Sequence, residues 1–371
     1  MRVAFLSFDF GEYCIRLTSA MADDTTIALM LPDKFAEPFI DVLDPRINMQ
    51  PFSRPRLRQP LSQLILLRNL YRQIQDFQPD VIHIQQGHLF LNGMLPFLRK
   101  YPLVITVHDA QTHPGDRGAA KTPQWVMDYG FKNANHIIVH ARHVGETLVQ
   151  RLDISPDRIT FSPHIALGLD ITPENPTDTS SDDAPNILFF GRIWPYKGLD
   201  YLIKAEPLIT EKYPNVKIVI AGRGEDFDRY EAIMVNRDRF DIHNHFIPHE
   251  AVADYFSAAS VVVLPYIEAS QSGVIPIAYA FSKPVVATIV GGLPEVVEDG
   301  QTGYLVTPRD EQALAEAVIK LLDDSERRHN FGKRGKDKIL KECSPPVVGQ
   351  QTLDVYRKAI AKYLSEKTIG T

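Results

Sequence analysis

The sequence has few features of a membrane-spanning, secreted or metal-binding protein. It has only two cysteines, Cys14 and Cys343, which cannot form a disulfide framework and lack metal-ligand spacing. No run approaches the roughly 18 apolar residues that a membrane-spanning helix needs. The first residues, MRVAFLSFDF, become acidic too early for a signal peptide. These absences predict a cytoplasmic protein with reduced thiols.

The charge is mildly negative and unevenly distributed. The 371 residues carry a formal net charge of −6 at pH 7. Residues 1–168 contain 17 Lys and Arg against 16 Asp and Glu, whereas the remainder contains 23 against 30. Because there is no basic excess, the composition argues against a nucleic-acid partner. The N-terminal half is the better candidate for docking a negatively charged surface or acceptor.

Length and patterning indicate two α/β domains, because 371 residues exceed one ordinary core. Short apolar runs alternate with segments long enough for helices, which is typical of parallel βαβ units. The first series is RVAFLSF, TTIALMLP, DVIHIQQ, LVITVHD and NHIIVHA; after the proline-rich PENPTDTSSDDAPN, the second is NILFFGR, VKIVIAG, ASVVVLPY and KPVVATI. We predict a Rossmann-like domain over 1–170, a linker over 171–186, a second Rossmann-like domain over 187–345, and a helix over 346–371 that belongs to the second domain or crosses back to the first.

Two cations follow the first strand of the second series. In FFGRIWPYKG, Gly191 and Arg192 come at the end of a predicted strand, and Lys197 opens the next helix. Arginine can donate to two oxygens of a diphosphate, and lysine adds a mobile charge. A helix start with ordinary surface charges is the alternative, and the motif alone does not decide between the two.

Glycines and small polar residues follow two further strands. After IVIA come Gly222, Arg223 and Gly224, which permit close approach of the backbone to a ligand but also suit an ordinary turn. After ASVVVLPY, small polar residues precede a predicted helix, whose free N–H groups favour a phosphate. A serine there can instead simply cap the helix. The candidates in this stretch are Glu268, Ser270, Gln271, Ser272 and Gly273.

The motifs of the second series resemble a known family as a set. GRIWPYKG, AGRGED, ASQSGVIPIAYAFSKPVVAT and GGLPEVVEDGQTGYLV are similar, in order and spacing, to those of retaining GT-B glycosyltransferases of family 4 type (glycosyl transferases group 1). The resemblance implies two Rossmann-like α/β/α domains whose parallel sheets face each other across a cleft. It further implies a nucleotide sugar bound mainly to the second domain and an acceptor bound mainly to the first.

The same resemblance assigns roles to the candidates. Arg192 and Lys197 would neutralise the donor diphosphate, with no metal ion and no cofactor. Residues 222–224 would pass near the nucleotide base, and Ser272 and Gly273 near the distal phosphate or sugar. In the first domain, FDFGEYCIRLTSAM contains Gly11, expected to face the donor phosphates or the acceptor, and VITVHDAQTHPGDRG places His108 and Asp109 at a strand end. His108 would contact the transferred sugar, although a strand-end histidine can also be structural.

One departure from the family pattern concerns the nucleotide. Family members commonly carry two glutamates eight positions apart in this stretch, one near the sugar and one on the ribose. Here the ribose position falls on Ile277 or Ala278, and neither can accept a hydrogen bond from a diol. The sugar position falls on Ala269 or Ser270, so Glu268 is out of register; it either reaches the sugar or caps the preceding strand.

Two other clusters invite separate hypotheses. Residues 45–75 contain six arginines and no acidic residue. The helical pattern from Leu61 predicts a helix packed on its sheet, and the arginine-rich region 46–72 is a candidate contact with anionic lipid at the inner face of a membrane, or with a phosphate-bearing acceptor. His243, His245 and His249 suggest zinc, but no ligand pattern supports it, and we expect no metal.

The sequence therefore predicts transfer of a sugar from a nucleoside diphosphate to a carbohydrate or lipid-linked acceptor, in polysaccharide or glycolipid biosynthesis. Two alternatives stay open. One is another GT-B enzyme, such as a nucleotide-sugar epimerase or a phosphorylase. Neither the carboxylates that an epimerase uses for proton abstraction nor the pyridoxal lysine of a phosphorylase is recognisable in the sequence. The other is a non-catalytic relative that binds a nucleotide sugar, which the missing ribose carboxylate favours.

Overall fold

The chain forms two compact units. The computed structural model describes residues 1–56, 58–112, 122–169, 171–172, 184–224 and 227–369, with only the backbone of Ile369. Of these residues, 1–112, 122–165 and 343–369 belong to the first unit and 166–342 to the second. Most of the predicted linker lies outside the described residues, as does the second half of the segment after His108.

The first unit is a parallel α/β structure. Its strands are β1 (Arg2–Ser7), β2 (Thr26–Pro32), β3 (Asn48–Phe52), β4 (Val81–Gln85), β5 (Leu103–Val107), β6 (His136–Val139) and β7 (Ile159–Phe161). Its helices are α1 (Gly11–Ala20), α2 (Asp33–Ala36), α3 (Pro60–Phe77), α4 (Leu89–Leu98), α5 (Gln124–Asn133) and α6 (Arg142–Leu152), and a further helix comes from the end of the chain. The strands lie in the order β3-β2-β1-β4-β5-β6-β7, and every pair is parallel. Strands β4, β5 and β6 are buried along their whole length, as a sheet covered on both faces requires.

The second unit repeats the plan. Its strands are β8 (Asn186–Phe190), β9 (Lys217–Ala221), β10 (Phe240–His243), β11 (Val261–Leu264), β12 (Val285–Thr288) and β13 (Gly303–Val306). Its helices are α7 (Leu199–Lys212), α8 (Asp228–Glu231), α9 (Val252–Ala258), α10 (Val274–Ala280), α11 (Leu293–Val296), α12 (Glu311–Leu322) and α13 (Ser325–Glu342). The strand order is β10-β9-β8-β11-β12-β13, again all parallel.

The helix after the second unit, α14 (Pro345–Ile369), belongs to the first unit. The Tyr356 hydroxyl lies 2.6 Å from Nδ1 of His83 on β4, and both side chains are completely buried. Further along the helix, the Tyr363 hydroxyl donates to the Arg99 carbonyl at 3.0 Å. These contacts make α14 part of the packing of the first sheet.

The strand order fixes where ligands can bind in each unit. Successive strands run outward in one direction and then restart on the other side of the first strand. The order reverses between β1 and β4 in the first sheet and between β8 and β11 in the second. In open parallel sheets, the crevice at the carboxyl ends of the strands beside such a reversal is the usual ligand site. No helix among the described residues is both long and apolar enough to cross a bilayer.

Candidate functional site

The loops after β8 and β9 are joined at the reversal point of the second sheet. The Gly191 N–H donates to the Ala221 carbonyl at 2.9 Å, and the Ile193 N–H donates to the Arg223 carbonyl at 3.0 Å. Gly222 has φ = 150°, and a Cβ placed on it would lie 1.8 Å from the Gly191 carbonyl oxygen. Only glycine fits there, because the two backbones touch. The predicted candidates 191 and 222–224 therefore lie in two neighbouring loops whose backbones contact each other.

Two tyrosines contact the two cations. Arg192 is exposed, and its Nη2 lies 3.4 Å from the Tyr196 hydroxyl. The Lys197 ammonium lies 3.6 Å above the centre of the Tyr266 ring, a close cation–π contact. Tyr266 is buried, which raises the pKa of its hydroxyl, so it stays neutral. Tyr196 also fixes the facing loop, since its carbonyl accepts from the Ile267 N–H at 2.8 Å.

The small polar stretch lies between β11 and α10 as predicted, with the helix starting at Val274. The Ser272 Oγ accepts from the Val274 N–H at 3.2 Å and lies 3.4 Å from the Tyr266 hydroxyl. Ser272 thus contacts both the first residue of the helix and the tyrosine beneath Lys197. The side-chain oxygen of Gln271 is buried and has no hydrogen-bond partner among the described residues. A buried, unpaired amide oxygen is a position where a ligand donor would be stabilised.

The candidates for the two glutamate positions lie in different surroundings. Ala278 is completely buried, whereas Ile277 is partly exposed. The Ile277 side chain packs beside Gly168, at 3.4 Å from the place that a Cβ on this glycine would take. Val274, one turn earlier on α10, packs beside Gly191 in the same way, at 3.7 Å. The face of α10 beside Gly191 is therefore apolar. At the other position, Glu268 is exposed and lies four residues beyond the end of β11.

In the first unit, His108 lies directly after β5 and is buried. Phe10 stacks on its ring at 4.0 Å between centroids, and the Gln85 amide lies 2.5 Å from its Nε2. If Nε2 accepts this hydrogen bond, the proton of the neutral ring is on Nδ1. That Nδ1 is buried and has no partner within the described residues. Asp109, the next residue, is half-buried.

His108 belongs to a histidine cluster that the sequence reasoning missed. The rings of His108, His140 and His164 lie 4.9 to 5.8 Å apart, and the Tyr13 ring contacts all three at 5.0 to 5.6 Å. Burial lowers the pKa of His140 to about 3, that of His164 to about 4, and that of His108 well below its usual value. The three imidazoles are therefore neutral at pH 7. A signal was available, since each histidine closely follows a strand and β5, β6 and β7 are adjacent.

Gly11 lies at the start of α1, and its packing explains the glycine. A Cβ at this position would stand 1.8 Å from the Phe35 carbonyl oxygen, so no larger residue fits. Gly11, His108 and Asp109 thus lie in the first unit, and the other candidates lie in the second. Within the described residues, no group of three His, Cys, Asp or Glu side chains is arranged to hold a metal ion.

Comparison with known proteins decides the family. The family model for Glycosyltransferase Family 4 matches residues 13–164, and that for Glycosyl transferases group 1 matches residues 184–324. The chain is 30% identical over 316 residues to D-inositol 3-phosphate glycosyltransferase from Corynebacterium aurimucosum, covering 76% of this chain and 72% of that protein. The chain belongs to the family 4 glycosyltransferases. This glycosyltransferase is also 27% identical over 313 residues to alpha-maltose-1-phosphate synthase from Mycolicibacterium smegmatis, covering 76% of this chain and 79% of that protein.

Solved structures support the fold of this glycosyltransferase. The Anabaena protein HepE in complex with UDP superposes with a TM-score of 0.74 at 18% identity, covering 96% of this chain and 100% of that one. The prediction of a GT-B protein with two parallel-sheet α/β domains is confirmed.

Proposed function

We propose that this glycosyltransferase is a retaining enzyme that moves a sugar from a nucleoside diphosphate to a carbohydrate or lipid-linked acceptor, without a divalent metal. The observation that carries the proposal is the position of Arg192 and Lys197 at the reversal point of the second sheet, in contact with Tyr196 and Tyr266. Two fixed cations at the carboxyl end of β8 suit a diphosphate.

The proposed step breaks the bond between the sugar C1 and the diphosphate oxygen, which keeps the electron pair. Negative charge grows on the leaving diphosphate, so cations already in place stabilise the transition state more than the ground state. The acceptor oxygen bonds to C1 on the same face, and its proton goes to the leaving phosphate oxygen. His108 would donate from its unpartnered Nδ1–H to a sugar hydroxyl, because it is neutral at pH 7.

A UDP-sugar is the first donor to test. The solved complexes of HepE contain UDP and UDP-glucose, and they share the fold of this chain. For the acceptor, the two curated relatives carry phosphate compounds in their names, D-inositol 3-phosphate and alpha-maltose-1-phosphate. We therefore include phosphorylated sugars and polyols among the acceptors to be screened, beside lipid-linked sugars.

The experiment begins with a thermal-shift panel of UDP-, GDP- and ADP-sugars, followed by donor hydrolysis and acceptor transfer with the best donor. We expect the Lys197→Ala variant to lose transfer by about 100-fold, the usual effect of removing one group that stabilises developing negative charge. Lys204→Ala is the matched control, because Lys204 also lies over a tyrosine ring, that of Tyr201 at 5.2 Å, but on α7 and exposed to solvent. Equal activity of the Lys197→Ala variant and wild type would remove Lys197 from the mechanism.

A second candidate is a non-catalytic nucleotide-sugar-binding protein, which the apolar Ile277 on the exposed side of α10 favours. The same experiment separates the two. Stabilisation by a nucleotide sugar without hydrolysis or transfer to any acceptor would support the binding protein. Failure of every nucleotide sugar to stabilise the chain would contradict both.

A further inference from the structure

Helix α3 packs on the first unit with only one of its faces. Its buried residues are Gln63, Leu66, Leu70, Ile74 and Phe77. At 100° per residue these five fall within an arc of about 80°. The sequence prediction of a helix packed on its sheet therefore accounts for this side of α3 and leaves the other side to be explained.

The opposite side, which we call the outer face of α3, consists of Leu61, Leu64, Ile65, Arg68 and Arg72. The three apolar side chains are 76%, 65% and 61% exposed, and both arginines are exposed. The five residues fall within an arc of about 100°, centred almost opposite the buried arc. Three large aliphatic side chains side by side on one exposed face are unusual in a soluble protein and mark an interaction surface.

The charges around the outer face are mainly positive, and Asp76 in the last turn of α3 is an exposed acidic neighbour. Residues 46–75 contain six arginines and no acidic residue in a chain whose net charge is −6. Two of the arginines form ion pairs within the unit: Arg46 pairs with Asp44 at 2.7 Å, and Arg54 pairs with Asp9 at 2.7 Å. Within the described part of the chain, the other four form no ion pair: Arg56, Arg58, Arg68 and Arg72.

The neighbouring helix extends the surface. Phe97 at the end of α4 is 66% exposed, and its ring lies 6.3 Å from that of Tyr71 on α3. The Lys100 ammonium lies 6.0 Å from the centre of the same tyrosine ring. An exposed aromatic ring and another cation thus lie beside the outer face, and the combination of apolar and basic residues continues onto a second element.

We propose that the outer face of α3 docks the first unit on an anionic lipid surface. Leu61, Leu64 and Ile65 enter the boundary between headgroups and acyl chains, and Arg68 and Arg72 bind lipid phosphates, as in helices that lie in the plane of a membrane. A second copy of the chain fits poorly, since a two-fold contact through this face would bring arginines against arginines. The inference is independent of the proposed chemistry of the donor site.

The test is flotation of the full chain with vesicles of phosphatidylcholine alone or with phosphatidylglycerol, at low and high salt. We expect binding to the anionic vesicles at low salt only. The Leu64→Ser/Ile65→Ser and Arg68→Gln/Arg72→Gln double variants should each release the protein. Loss of each arginine weakens binding about fivefold, the usual contribution of one cation at an anionic surface. Thermal unfolding checks that the variants, all at exposed positions, remain folded.

Val235→Ser/Phe246→Ser is the matched control, because these apolar side chains are 69% and 74% exposed but lie in the second unit. It should float like wild type. The proposal is overturned if wild type does not float with anionic vesicles at low salt, if the outer-face variants float like wild type, or if neutral vesicles bind equally well. A dimer detected by light scattering and lost in the outer-face variants, without vesicle binding, would also overturn it and assign the face to a second copy.

Discussion

Lowering the pH from 7 to 5 should destabilise the first unit, because this unit buries several histidines in their neutral form. His83 is completely buried, with its two ring nitrogens 2.6 and 2.7 Å from the hydroxyls of Tyr356 and Thr106. Burial lowers the pKa of His83 and that of His140 to about 3, and it lowers the pKa of His108 well below the usual range. Protonation of these three imidazoles near pH 5 is therefore disfavoured in the folded state.

The sign and size follow from proton linkage. Above the unfolded-state pKa of about 6.5, these histidines are neutral in both states and pH has no effect. Below it, the unfolded chain binds protons that the folded chain does not, so stability falls as the pH drops toward the folded-state value of about 3. Each such histidine lowers the free energy of unfolding by about 1.4 kcal/mol per pH unit below 6.5, which amounts to about 2 kcal/mol at pH 5. His83 and His140 together contribute about 4 kcal/mol at pH 5, a large part of the stability of many domains, and His108 acts in the same direction.

Urea unfolding followed by pulse proteolysis at pH 7 and pH 5 measures this directly, with the fragments assigned to each unit. The first unit should lose most of its resistance at pH 5. A His83→Gln variant is less stable at pH 7, since it disturbs two hydrogen bonds, but its pH slope should be shallower by about 1.4 kcal/mol per unit. An equal slope in the variant and in wild type, or no difference between pH 7 and pH 5 in wild type, would refute the reasoning.

Two substitutions test the second unit. Gly222→Ala should abolish nucleotide-sugar binding with little loss of the rest of the fold, because the alanine Cβ would overlap the Gly191 carbonyl oxygen and displace this loop. Calorimetric titration measures the affinity, and an unchanged affinity would contradict a role for this turn in binding. Ile277→Glu should tighten nucleoside diphosphate binding by about tenfold, since a carboxylate on this face can accept hydrogen bonds from a ribose diol. A 2′,3′-dideoxy nucleotide is the control, and an equal gain for it would show that the ribose is not involved.

The inner strands of both sheets were predictable because they are buried along most of their length, whereas the partly exposed edge strands β3, β7, β10 and β13 were not predicted. A parallel strand such as β4 or β5 is apolar throughout, and this pattern is visible without knowledge of any contact. The position of Arg192 was predictable for the same reason, since it closely follows the end of β8. Lys197 was expected to open the next helix and instead ends a short 3-10 turn, Pro195–Lys197, just before α7. Family membership was predictable from the motifs taken together.

Contacts between distant loops were not predictable. Tyr196 and Tyr266 are 70 residues apart in the sequence, and both rings lie close to the Lys197 ammonium. No sequence motif predicts such a cation–π contact. The register of Glu268 was ambiguous because loops carry no periodicity to fix it. The histidine cluster was missed for a different reason: each residue was considered on its own strand, whereas the strand order brings their rings together.

The return of α14 to the first unit makes the second unit an insertion within the first. Residues 166–342 are synthesised before the helix that completes the packing around His83 and Tyr356. During translation, the first unit therefore cannot complete its packing before the whole second unit has been synthesised, which departs from the usual completion of the N-terminal domain first. Until α14 arrives, the first sheet exposes apolar surface to the chaperones that meet a nascent chain.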